Sequence, residues 1–296
     1  MAEVRWERMF RDQLEQRFTA CPVLYLTYGL CEPHGPHNAV GLDGLKAHGL
    51  AVAAARAHGG IVAPPDYWHI HEIGGYARWG HDNVGDARTW LTSLPPWQHF
   101  KNVLYQIRAA DSLEFEAVIL LTGHYGPNWM DLKTLAQLVQ PAVGARLYAL
   151  PDFEANEPGF DGASGDHAGK VETSLLWALE PQCVDMSRLP LGGEPGQRFA
   201  MGADAGRSDR REGERMVADE VAWLGRKAQE LLREFRDSRP AVRLRSFEAV
   251  EELWEREIRP RVPSFKSMQD RPGDASLPEL PAASRWHTNW RVSRTG

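Results

Sequence analysis

Ala117-Val118-Ile119-Leu120-Leu121, running into Thr122-Gly123-His124-Tyr125-Gly126, is the stretch that decides the fold. A continuous apolar run of this length has no polar side to show to water, so it reads as a strand buried on both faces, the kind a parallel sheet uses. It empties into a glycine turn, and helical spacing follows over 128–138. The same order recurs on both sides. Upstream, 23–28 is a short β-rich run that passes through a Gly/Pro/His loop (29–41) into a small-residue helix over 44–57. A second short strand at 61–63 is stopped by Pro64-Pro65, and a helix over 97–112 precedes the middle strand. Downstream, 146–150 is a further strand, followed by a Gly/Asp-rich loop (151–165) and a helix that begins near Gly169. Strands alternating with helices predict an α/β fold, a three-layer α/β/α arrangement with a mainly parallel sheet.

The flanks read differently. Residues 4–18 place Val4, Met9, Phe10, Leu14 and Phe18 at helical spacing, an amphipathic helix ended by Cys21-Pro22. Residues 66–86, rich in Trp, His and Gly, read as a long irregular loop of the kind that binds something. Beyond Pro181 the composition changes: 189–206 is Gly/Pro-rich, 211–235 is a long amphipathic helix, 247–258 a second, and 272–296 a tail or an arm laid on a partner. The expected division is an α/β domain over 1–240 and a helical C-terminal extension and tail over 241–296, packed on the same domain or on a neighbouring subunit.

Composition narrows the class. The 296 residues carry a net charge of −6 with 43% hydrophobic and 25% charged residues, a globular profile with no polybasic footprint for nucleic acid or anionic membrane. No apolar run approaches the length of a membrane span, and the charged start MAEVRWERMF carries no export signal. Three cysteines are too few for a disulfide framework. A cytoplasmic location is the expectation. The 11 histidines are unevenly placed, since all but His287 lie at or before His167.

Open α/β sheets bind ligands beyond the carboxyl ends of their strands. Metal-ligand residue types stand there each time. After the first strand comes Glu32-Pro33-His34-Gly35-Pro36-His37, with Asp43 at the next helix start; after the middle strand comes His124; Asp166, His167 and Glu172 surround the start of the later helix. Carboxylates and imidazoles together suit Zn²⁺ or Mn²⁺, and one carboxylate can bridge two ions about 3.5–4 Å apart. Each residue also has an ordinary structural reading: His34 and His37 as surface imidazoles of a turn, Asp43 as an N-cap, Asp166-His167 as a helix cap, Glu172 on a solvated face. Their joint occurrence at successive strand ends is what points to a site.

Three motifs in order, Glu-Pro-His-Gly-Pro-His ending at His37 with Asp43 beyond, Gly123-His124-Tyr125-Gly126-Pro127-Asn128, and His167-Ala168-Gly169-Lys170-Val171-Glu172-Thr173-Ser174, resemble those of the creatininase family. The resemblance runs over roughly 21–232, with a weaker echo around Glu214. It implies an α/β/α domain, two divalent ions per chain (Zn and/or Mn, with Fe as a further option), and hydrolysis of amide or related bonds, in homo-oligomers among which a hexamer is favoured. Carried over by residue, it implies Glu32, His34, Asp43, His124 and Glu172 as ligands. Asp43 bridges, Glu32 and His124 complete one set, and His34 and Glu172 complete the other. His167 matches the active-site histidine that protonates the leaving group.

The departures set limits. Creatininase itself takes a ligand from a Glu where this chain has Gly126, which argues against creatinine as substrate. Tyr76–Gly85 replaces the usual Phe-Pro-Gly-Thr stretch, and Lys170 stands where an acid is usual. Candidate substrate-wall residues are Tyr125, Trp79, His81 and Trp68, with His69 and His71 from the same segment, and packing or a subunit interface is the alternative reading of that segment. The expected activity is hydrolysis of a small polar, cyclic substrate by a hydroxide bridging the ions, with C–N cleavage favoured. Opening of a lactone or cyclic polyol ketone, and a catalytically silent scaffold, are the alternatives. No nucleic-acid or membrane partner is expected.

Overall fold

A computed structural model describes residues 3–156, 166–190, 199–271 and 273–291. Its centre is a four-stranded parallel sheet of β1 (Val23–Tyr28), β2 (Ile61–Val62), β5 (Ala117–Thr122) and β6 (Arg146–Pro151), in the order β2-β1-β5-β6. β1 and β5 are buried along their whole length. Alternate residues serve opposite faces, as the strand period requires: Leu24, Leu26, Val118 and Leu120 join one core, Val23, Tyr25, Ile119 and Leu121 the other. The first core is closed by α4 (Pro96–Ser112) and α5 (Asn128–Val139), the second by α2 (Leu42–His58) and α7 (Arg210–Ser238). The fold is therefore α/β/α around a parallel sheet. Residues 244–265 complete the first core with Leu244, Val250, Trp254, Ile258 and Phe265; within them α8 (Phe247–Leu253) is continued by a π-helical turn, Trp254–Ile258.

Three sequence expectations need correction. Residues 4–18 are not one helix: Val4 bonds to the sheet edge at Val62, a 3₁₀ turn spans Trp6–Arg8, and α1 (Arg11–Ala20) follows with no buried residue. Residues 66–86 are not an irregular loop. They hold a short strand β3 (His69–Ile70), paired in parallel with β4 (Ser93–Leu94), and a helix α3 (Gly74–Asn83). Glycines at 74, 75 and 80 hid that helix, because isolated glycine weakens a helical pattern.

The third correction supplies the reason for those glycines. Residues 273–291 are not an arm laid on a partner but pack on this chain, one of the two placements expected for the extension: Leu280, Trp286 and Trp290, the last in α9 (His287–Trp290), are buried with Ala77 and Val84. A Cβ on Gly80 would lie 2.5 Å from the Trp286 ring, and one on Gly75 2.5 Å from Arg271 Cγ. The glycines of α3 are where the chain's end seats. Parts of the expected loops at 151–165 and 189–206, and of the tail, lie outside the described residues.

Candidate metal centre

The chain reverses its direction of travel across the sheet between β1 and β5, the switch point where α/β sheets place ligands. Glu32 and His34 lie in the loop after β1, and Asp43 is in the first turn of α2. The N-cap position belongs to Gly41, so Asp43 turns its carboxylate inward instead of capping. His124 follows β5. Glu172 sits in the first turn of α6 (Lys170–Leu179), where Ala168 N–H donates to its Oε2 at 2.8 Å while its own N–H donates to Asp166 at 2.6 Å. Asp166 thus does cap the helix, and Glu172 faces inward.

All five side chains are almost completely buried and converge. Asp43 Oδ1 is 3.1 Å from His34 Nε2, and Asp43 Oδ2 is 3.0 Å from His124 Nδ1. Glu32 Oε1 is 2.9 Å from His124 Nδ1, and Glu172 Oε2 is 3.9 Å from His34 Nε2. Two groups of possible ligands result, Glu32-Asp43-His124 and His34-Asp43-Glu172, each with its donor atoms within 4.8 Å of one another. Asp43 belongs to both. A further group, Glu32-His34-His167, meets the same distance.

The donors fit a cation. Glu32 Oε1, His34 Nε2 and Asp43 Oδ1 are buried without a well-formed hydrogen bond, a costly arrangement unless positive charge satisfies them. Burial opposes charge on His34, yet Asp43, Glu32 and Glu172 push it up to about 9; on His124 burial is again outweighed, first by Glu32, and it rises to about 10. The carboxylates thus draw protons onto both imidazoles, and a divalent ion would displace those protons. Bonds behind the donors fix them. His34 Nδ1 donates to the Glu32 carbonyl at 3.1 Å, which leaves Nε2 for the cluster. His71 Nδ1 accepts from Glu72 N–H at 2.8 Å, so its Nε2 carries the proton, 3.4 Å from Glu32 Oε2.

Two further residues stand below the cluster, unforeseen from sequence. Lys46 is fully buried, 2.9 Å from Asp152 and 3.1 Å from Glu172 Oε1, and donates to the Gly123 carbonyl at 2.6 Å. Burial works against its charge, but Asp152, Glu172 and Asp43 hold it above the ordinary lysine value. Burial lifts Asp152 to about 6 despite Lys46. Signals existed: Lys46 is one helical turn after Asp43, and Asp152 follows β6 as His124 follows β5.

A cavity of about 120 Å³ opens over the cluster, lined among others by Glu32, Asp43, His124, Glu172, His167, His71, Tyr76, Trp79, Tyr125 and Arg271. His167 stacks on His34 with centroids 4.5 Å apart and 16° between planes, and Trp79 meets it edge-on at 4.4 Å. Its Nε2 is 2.7 Å from the Pro33 carbonyl, which only accepts, so the proton sits on Nε2 and Nδ1 is the free nitrogen. Burial pulls His167 down to about 4. Tyr125 reaches the wall, with its hydroxyl donating to Asp152 at 2.8 Å and Lys46 over its ring at 3.7 Å. His81 and Trp68 are not brought to the cavity. His81 Nδ1 pairs with Ser284 Oγ at 3.0 Å, because α3 turns that side toward the C-terminal segment, and Trp68 is 53% exposed. His71 and Tyr76, from the same segment, take the wall positions.

A parallel α/β/α sheet with a buried carboxylate–imidazole cluster at its switch point defines a protein with a candidate divalent-metal centre. Residues 7–230 match the family model Creatininase, described as creatinine amidohydrolase. The chain belongs to the creatininase family, a family of hydrolases. Among solved structures it is similar to creatinine amidohydrolase (23% identity, TM-score 0.60, covering 79% of this chain and 99% of that one) and to a structure described as creatininase Mn (24%, 0.59, 79% and 99%). A putative creatinine amidohydrolase from Bacteroides fragilis aligns at 18% identity with TM-score 0.62, over 78% of this chain and 98% of that one. These likenesses show the fold. No curated protein matches the chain in sequence comparison.

Proposed function

We propose that the chain is a dinuclear metal-dependent hydrolase of a small polar, cyclic substrate, with C–N cleavage favoured over C–O. The observation that carries this reading is the pair of three-residue donor groups that share Asp43 beneath an open cavity. Bound there, two divalent ions, Zn²⁺ or Mn²⁺ by the donor chemistry, would supply Lewis acidity toward a carbonyl and lower the pKa of water. Glu32 and His124 would hold one ion, His34 and Glu172 the other, and Asp43 both.

The chain's own groups do the rest. His71 orients Glu32, while Lys46 and the Ala168 N–H orient Glu172. His167, held at Nε2 by the Pro33 carbonyl, lines the cavity, and its Nδ1 would take a proton from water and pass it to a leaving group. Tyr76 and Trp79 exclude water and offer flat faces to a ring. Gly126, where creatininase has a carboxylate ligand, sits against the Tyr76 hydroxyl: a Cβ there would lie 2.8 Å from it, and Gly126 itself is at φ +80°. Position 126 therefore has no room for a ligand side chain, which supports Glu172 in that role and a substrate other than creatinine.

The test is a panel of cyclic amides, lactones and cyclic polyol ketones assayed on the chain after chelation and after reloading with Zn²⁺ or Mn²⁺. Metal-restored cleavage of a cyclic amide is the expected result. Cleavage confined to lactones or ketones would move the reading to the ring-opening class. Undiminished activity after complete chelation would overturn it.

A further inference from the structure

Arg271 lies beyond residues 7–230, the span of the family match, yet it lines the cavity over the candidate metal centre. The C-terminal segment brings it there by docking on the start of α3, where Gly75 N–H donates to the Gln269 carbonyl at 3.0 Å and Gly75 leaves room for the Arg271 stem. Asp274 Oδ2 accepts from Arg271 N–H at 3.1 Å and lies 3.4 Å from Nε, holding one edge of the guanidinium. Among the described residues nothing else bonds to the guanidinium, so its two terminal nitrogens keep their donors. Arg271 is also the one Lys or Arg among the described residues lining the cavity. The lining also carries the aromatic rings of Tyr76 and Trp79, from the same helix that Arg271 packs against.

A half-exposed guanidinium fork in the lining of a small cavity that also offers aromatic rings is suited to a carboxylate carried on a flat ring. We propose that Arg271 determines specificity, and that the substrate is a small ring bearing a carboxylate, the ring against Tyr76 and Trp79 and the carboxylate paired with Arg271. This deepens the hydrolase reading and rests on it for the identity of the site.

Dihydroorotate and 5,6-dihydrouracil differ only by a carboxylate on the same cyclic ureide, and their binding to the metal-loaded full chain can be read by calorimetry. The chain should bind dihydroorotate about tenfold more tightly, the factor one charge-assisted hydrogen-bonded pair supplies. Arg271→Ala should erase the preference and Arg271→Lys should keep part of it, both at unchanged metal content and melting temperature. Equal affinities in the wild type, binding of neither compound, or a preference that survives Arg271→Ala would overturn the proposal. Selective binding without turnover would count against the hydrolase reading and leave the role of Arg271 standing.

Discussion

The cluster under the cavity and the wall around it are built by opposite means. Each member of the cluster is placed by its own strand end or helix start: Glu32 and His34 after β1, Asp43 at the head of α2, His124 after β5, Glu172 at the head of α6. The wall depends on pairings between residues some two hundred positions apart, such as Gly80 with Trp286, His81 with Ser284, and Arg78 with the Pro278 carbonyl. A family can therefore keep its chemistry while exchanging the segments that shape the substrate, because the two rest on different contacts. If so, each region should be damaged separately.

The largest loss is expected beneath the cluster. Lys46→Met leaves Asp152 and Glu172 as buried, unmatched carboxylates, which should cost about 3–5 kcal/mol of stability in urea unfolding. Metal affinity should fall as well, since Glu172 loses its partner, and Asp152→Asn in the same chain should recover part of the stability. A change under about 1 kcal/mol would mean that Lys46 is not the compensating charge.

Next comes the wall. Trp286 is 1% exposed against α3, and Trp286→Ala should cost about 3 kcal/mol, the lower end for a buried aromatic because the segment lies at the edge of the fold. Metal content should stay at the wild-type level while the Michaelis constant rises. Loss of metal in this variant would show that wall and cluster are one unit.

The smallest effect is expected at His81, whose ring is engaged by Ser284 away from the cavity. His81→Ala should cost under about 1 kcal/mol and leave kcat and KM unchanged. A several-fold rise in KM would return His81 to the substrate wall.

The same division explains what could be read from sequence. The parallel α/β order was legible because buried strands such as 117–122 are continuously apolar, and the cluster residues were legible because they stand after strand ends or at helix starts. Lys46 obeys the same logic but lies inside a helix of small residues, where a lone lysine looks like a surface charge. Helix α3 and the wall position of Arg271 were not legible, since a helix with glycines at 74, 75 and 80 makes sense only once the C-terminal segment is seated on it.

Metal content per folded chain, measured on the wild type and on Asp43→Ala, puts the shared carboxylate to the test. Asp43 is the residue common to both donor groups, so the wild type should hold a pair of ions and Asp43→Ala should lose both together, whereas His34→Ala should weaken chiefly one. Retention of a full pair of tightly held ions by Asp43→Ala would contradict a dinuclear centre built on Asp43.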